Sequence, residues 1–508
     1  MRKTVFIKNA LILTVSSLIL RFAGIIFKVW LANIIGSEGI GLYGLIFSVH
    51  VLASTFASSG ISTAVTRLIA EEISLGSKNG VLKILSRAML ITLFVAFVSM
   101  VILFFGANFI AVKFLGDARA AVSLKILPLS LPFMGISSCL KGYFIARRKV
   151  TPNAVAQIFE QRVRILLVFT LVGKFAKKGI IYCCAAVVFG DVTAESLSCI
   201  TLWLVFLKNK KTLSNLSGRK APPYGVLRKI THIALPITSG RYLNTALRTV
   251  ENVLVPKNLT KYAFSSSSAL SQFGMIKGMA LPILFFPSAI LNSVSTLLIP
   301  EMSEASAKNQ KLLVKRATTD ILKLTSIISF IFAAIFFIAG KNIGFLIYKS
   351  YDVGFLLQAL SPIVPLMYLD SISDGILKGL DQQVFSFRTA ISDSILRIAL
   401  IILILPKAGL MGFIGIMYFS NFLTCMLNVG RLIKVSSASI KFFGEILLPL
   451  LCAATVTYIA NFLVYSISSL NLLVYIILLC LISIFSYFAL LLFFGSISKE
   501  EIMRYFRR

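Results

Sequence analysis

The sequence predicts an all-α polytopic membrane protein, with about fourteen transmembrane helices at ~20 residues each. Three observations predict it. Hydrophobic residues make up 57% of the 508 and charged residues only 14%, where soluble domains hold about 45–50% and about 25%. Mean hydropathy is +0.91. The apolar residues also cluster into helix-length windows separated by turns or charges. Together these exclude a soluble globular enzyme, a disordered chain and a secreted disulfide scaffold, and they leave little length for a soluble domain.

The windows run in order along the chain. The first, 9–35, follows Arg2, Lys3 and Lys8. It is too long for a signal-peptide core and no small-residue cleavage site follows it cleanly, so it reads as an uncleaved first helix. Next come 40–65, closed by Arg67; 88–112, framed by Arg87 and Lys113; and 122–146, between Arg119 and the run Arg147, Arg148, Lys149. The window 153–173 ends at Lys174, and 179–207 at Lys208. The second half gives 229–256, 268–299, 318–340, 355–380, 386–406, 409–432, 443–465 and 471–495. The sixth and tenth windows are the weakest, because they carry Asp191 and Glu195, and Asp370 and Asp374.

Lysine and arginine number 51 against 19 acids, a net charge of +32. An even helix number puts both termini on one side. The loops of that side hold most of the loop lysines and arginines, so the positive-inside rule makes both termini cytoplasmic. The longest such loop contains Ser217, Gly218, Pro222 and Pro223. It divides the chain into an N-lobe at 1–207, a cytoplasmic linker at 208–228, a C-lobe at 229–433, and a last helix pair with a basic tail at 434–508.

An internal repeat relates the lobes. Pro132, Met134, Ser138, Gly142, Glu160 and Arg164 recur at one constant spacing as Pro365, Met367, Ser371, Gly375, Asp393 and Arg397. Arg21 and Lys28 recur as Arg241 and Arg248 at a slightly shorter spacing. Six helices per lobe is an even number, so the lobes share one orientation. That predicts a pseudo-two-fold along the membrane normal, with helices thirteen and fourteen outside the repeat.

Charges within the hydrocarbon need a cavity or a partner. Arg21 and Lys28 lie nearly two turns apart on the first helix and so point one way. Arg241 and Arg248 repeat this on the seventh, with Glu251 one turn on, and Lys277 lies on the eighth. Across a two-fold these basic faces line one central cavity, suited to a phosphate or pyrophosphate. A competing reading has Lys28 and Arg248 snorkelling to an interface. Glu160 with Arg164, and Asp393 with Arg397, have the i,i+4 spacing of self-neutralising structural pairs. Asp393 has a second reading as well: with Glu251 it could hold Na⁺ or relay a proton. The acids Asp191 and Glu195, and Asp370 and Asp374, read either as coupling groups or as the lining of a wet vestibule. Seven cysteines show no metal-ligand spacing. His50 and His232 are too few for a histidine site, and no hydrolase, zincin, Walker A or dinucleotide motif is found. Nothing here suggests a cofactor, an enzyme or a nucleic-acid partner.

Several stretches resemble a known family. Arg21 with Gly24, then Ala32, Asn33, Ile34, Ile35 and Gly36, then Gly39, Gly41, Tyr43 and Gly44, look like the opening of the polysaccharide transporters of the MOP superfamily. Leu140 to Arg147, Thr151 with Pro152, and Gln157, Glu160 and Arg164 resemble that group's fourth-to-fifth helix signature; Ala234 to Thr238 and Glu251 to Pro256 resemble the seventh. The likeness is to the branch of stage V sporulation protein B and the MurJ-type lipid II flippases. It implies two six-helix lobes, alternating access, a cationic cavity, and a groove at helices thirteen and fourteen for an undecaprenyl tail. Arg21 matches the family's first cavity arginine. The second falls on Phe27, beside Lys28. His50 is the nearest polar group to the paired arginines of the second helix in many MurJ proteins, and Lys277 replaces an arginine. Glu251 and Asp393 match acids of a cation site in some members. The function this implies is a flippase for an undecaprenyl-pyrophosphate-linked glycan, a peptidoglycan precursor, in the bacterial cytoplasmic membrane, with Na⁺ or H⁺ as candidate coupling ions and membrane lipid as its surroundings. The alternative class is a cation-coupled multidrug or small-solute antiporter of the MATE type, for which the basic residues have the wrong sign.

Overall fold

The computed structural model describes residues 2–58, 60–210, 225–439, 441–466 and 471–496, of which 2–14, 290 and 293–300 are described by backbone alone. Most of the expected linker, 211–224, and the basic tail from 497 lie outside the described residues. Those described are helical almost throughout, with no strand among them. Lipid explains this choice: a helix satisfies its own backbone polar groups where no water can. Large side chains face outward, Phe105 at 80%, Phe485 at 79% and Phe493 at 82% exposure. Apolar surface on this scale is what a hydrocarbon solvent accepts.

Every expected window falls on helix. By length and composition, however, the described residues give ten helices able to cross a membrane, not fourteen. Two of the ten each cover two expected spans, Val15–Ser74 and Gln383–Ser436. Single non-helical glycines divide them, Gly36 at φ 72° and Gly409 at φ 55°. Both lie in the left-handed region that glycine tolerates and side chains resist. Two further expected spans, Thr151–Phe175 and Val226–Ala263, do not qualify by composition, the first for its charges and the second for its polar residues.

The chain forms two compact units. The first comprises 1–260 and 265–274, the second 261–264 and 275–508. In the first, Ile61, Val65 and Leu68 pack with Ile84, Leu85 and Ala88, with Leu140, Tyr143 and Phe144, and with Leu202, Phe206, Ile230 and Ala234. The sequence sets its dividing line at the linker 208–228; the helix beyond it, up to residue 260, packs with the first unit. Thr249 Oγ1 donates to the Ser48 carbonyl at 3.2 Å, and Asn252 Nδ2 to Ser48 Oγ at 3.0 Å. In the second unit Tyr368 donates to the Leu284 carbonyl at 2.6 Å, and Tyr487, on the last described helix, to the Ile327 carbonyl at 3.2 Å.

Each unit repeats one local device. The second expected helix is interrupted at Gly60, φ 74°, and the eighth at Phe286 and Pro287. Beside these breaks Ser138 Oγ donates to the Ser58 carbonyl at 3.1 Å, and its repeat mate Ser371 to Asn292 Oδ1 at 3.3 Å.

Candidate functional site

In the first unit the polar residues gather around Arg164. Its Nη2 lies 2.9 Å from Glu160 Oε1, one turn back, and its Nε 2.8 Å from Asp191 Oδ1. Nη1 donates to Gln161 Oε1 at 3.0 Å. Tyr43 donates its hydroxyl to Asp191 Oδ2 at 3.0 Å. Three helices thus join in one network around this guanidinium, whose planar fork allows two carboxylates to be served at once. In the sequence Tyr43 stands only within a glycine-rich motif, and no spacing signals that it reaches Asp191.

The second unit has the matching arrangement. Arg397 Nε lies 3.0 Å from Asp393 Oδ2 and donates to Ser420 Oγ at 2.5 Å, while the Ser420 hydroxyl donates to Asp393. Asn428 Nδ2 donates to Asp370 Oδ1 at 2.8 Å. Glu251 is 5% exposed and belongs to the first unit. Among the described residues no group of three or more His, Cys, Asp or Glu is arranged to hold a metal ion.

Beside Arg164 lies a cavity of about 560 Å³ within the first unit. Helix ends and mid-helix positions from five segments line it: Leu20; Ser58 and Ser62; Met134, Ser138 and Lys141; Gln157, Glu160, Gln161 and Arg164; and Glu195. Its lining is mostly polar, in a unit whose outer surface is apolar.

The basic residues singled out from sequence divide between the units. Arg21, Lys28, Arg241 and Arg248 are all exposed and all belong to the first unit. Lys277 is half-buried in the second, its Nζ 5.9 Å from the centre of the Phe413 ring. It sits in a π-helical stretch, Gly274–Ala280, a distortion that recurs at functional positions in helices.

A family model described as a polysaccharide biosynthesis protein matches residues 6–306. Stage V sporulation protein B of Bacillus subtilis (strain 168) is 27% identical over 451 residues, covering 87% of this chain and 86% of its own. Lipid II flippase MurJ of the same organism is 20% identical, over 78% of this chain and 76% of its own. Among solved structures, lipid II flippase MurJ in an inward closed conformation matches with a TM-score of 0.71 at 16% identity, over 94% of this chain and 98% of that one. An inward-facing MATE multidrug transporter of the MOP superfamily matches with a TM-score of 0.65 at 12% identity, over 83% and 96%.

Proposed function

Because the chain belongs to the polysaccharide biosynthesis protein family of the MOP superfamily, we propose that it is a flippase, a transporter and not an enzyme, that carries an undecaprenyl-pyrophosphate-linked glycan across the bacterial cytoplasmic membrane. The cargo is a peptidoglycan precursor of the lipid II kind. The observation that carries this reading is the pairing of cations on two expected membrane helices: Arg21 and Lys28 on one, Arg241 and Arg248 on the other. Each such charge costs about 2.5–3.5 kcal/mol to insert, and a diphosphate offsets that cost with charge-assisted hydrogen bonds. With Lys277 they are the residues proposed to hold the pyrophosphate during alternating access. Glu251 and Asp393 are the proposed acids for a coupling Na⁺ or proton. Both termini are cytoplasmic, where the basic loops meet anionic lipid.

The test is reconstitution in liposomes with a fluorescent polyprenyl-pyrophosphate disaccharide. Wild-type protein should move it to the far leaflet, and Arg21→Glu should abolish both binding and movement. Wild-type behaviour from that charge reversal would refute the reading.

A further inference from the structure

We propose that the cavity inside the first unit is a sugar-binding subsite, which takes the first one or two sugars of the lipid-linked cargo while the basic residues hold its pyrophosphate. This deepens the function proposed above and rests on it.

The cavity's size and its lining point to such a ligand. At about 560 Å³ it lies within the ~300–1,000 Å³ of small-molecule sites and far exceeds the needs of one ion. Hydroxyl, amide, ammonium and carboxylate groups line it, a mixture of donors and acceptors that suits a sugar ring better than an acyl chain or a drug-like aromatic.

Some of these groups are occupied within the protein and some are not. Glu160 and Gln161 hold Arg164, and Ser138 holds the Ser58 carbonyl. Glu195 is different. It is only 8% exposed, it faces the cavity, and it forms no ion pair with a described residue. Ser137, Lys141 and Arg164 are its neighbours, and its carboxylate oxygens can in addition accept from ligand hydroxyl or acetamido N–H groups. Gln157, from another helix of the lining, offers an amide that both donates and accepts. Lys141 adds a donor for a ring or hydroxyl oxygen.

Position links this cavity to the cations. Leu20 forms part of its wall, and Arg21 is the next residue on the same helix. A diphosphate held by Arg21 would therefore present its attached sugar at the cavity mouth. Glu160 and Glu195 offset Lys141 and Arg164 in the cavity lining, so the diphosphate is drawn to the basic residues outside it and the sugar to the neutral mixture of donors and acceptors within.

The experiment compares two ligands on the purified full chain: polyprenyl pyrophosphate without sugar, and polyprenyl pyrophosphate carrying a disaccharide. Affinities are measured by native mass spectrometry. Wild-type protein should prefer the disaccharide lipid. Glu195→Gln and Gln157→Leu should each weaken that lipid about tenfold, as for the loss of one hydrogen bond to a charged or buried group, and leave the bare lipid unchanged. Arg21→Glu should weaken both. Unchanged affinity for the bare lipid also certifies that each variant is folded. Equal affinities of wild type for the two lipids, equal losses for both lipids in the cavity variants, or no loss for either would overturn the subsite. So would Glu195→Gln that keeps its sugar preference but transports slowly, which would make Glu195 a proton or cation carrier. If wild type binds neither lipid, the flippase reading fails with it, an outcome distinct from all of these.

Discussion

Arg164 serves two carboxylates at once, Glu160 and Asp191, with its side chain 27% exposed. Removing it leaves two largely buried acids without their counter-ion. Breaking such a pair from one side costs about 3–5 kcal/mol when fully buried; partial exposure puts Arg164→Met near ~3 kcal/mol on that scale. Its melting temperature in detergent should fall clearly, and adding Glu160→Gln with Asp191→Asn should recover most of the loss. The contrast is Arg67 with Glu71, which share the same i,i+4 spacing at 3.2 Å but have side chains 69% and 54% exposed. Arg67→Ala should cost below about 1 kcal/mol. A pair four residues apart is readable from sequence, because helical geometry alone brings its members together. Asp191 and Tyr43 join Arg164 from other helices, and no spacing along the chain encodes that. Ser420 joins Asp393 and Arg397 in the same unreadable way.

Helices in the first unit approach most closely where side chains vanish. A Cβ on Gly142 would stand 2.7 Å from the Ser62 carbonyl oxygen and 3.2 Å from the Val65 side chain. Gly142→Leu would push Ala118–Ala146 away from Ile61–Ser74, and overpacking of this kind costs about 1–3 kcal/mol or more. It should lower the folded yield in size-exclusion chromatography, whereas Gly173→Leu, with nothing within 4 Å of its Cβ position, should leave the yield unchanged. The helices themselves were legible because a lipid-facing helix is apolar all along its length. Their ends were less so. The window 88–112 begins ten residues inside the helix Lys78–Phe109, since hydropathy sees only the part suited to hydrocarbon and misses a polar first turn capped by Ser77. The windows 40–65 and 268–299 run straight across the breaks at Gly60 and Pro287, because averaging over apolar residues hides a single breaker. Of the cavity only Glu195 was legible, as one of the acids readable as the lining of a wet vestibule. Its lining comes from five separated segments, and only packing assembles them.

For the whole molecule the chief quantity is charge. In the proposed flippase the net +32, gathered in the loops of one side, would set the orientation, and the basic residues of the expected helices would travel with whatever part of the protein changes access. An inside-negative potential acts on such moving charge with about 2.3 kcal/mol per elementary charge per 100 mV. In the proposed flippase it would therefore favour return of the unloaded, cationic site to the cytoplasmic face. Collapsing the potential in proteoliposomes with valinomycin and balanced potassium should slow repeated transport several-fold and leave a single round of binding untouched. Unchanged rates would exclude the potential as the driving term.

The glycine junctions bear on how such a movement would spread. At Gly36 and Gly409 only one residue departs from helical geometry between consecutive helical stretches. A long connecting loop would absorb a tilt or a twist, as slack in a rope absorbs a pull. Here there is none to take up. Whatever rotates the stretch bearing Arg21 and Lys28 is handed on at once to the stretch bearing Tyr43, and through its hydroxyl to Asp191 and Arg164. Seizure of cargo at one end of that chain of contacts would be felt mechanically at the other.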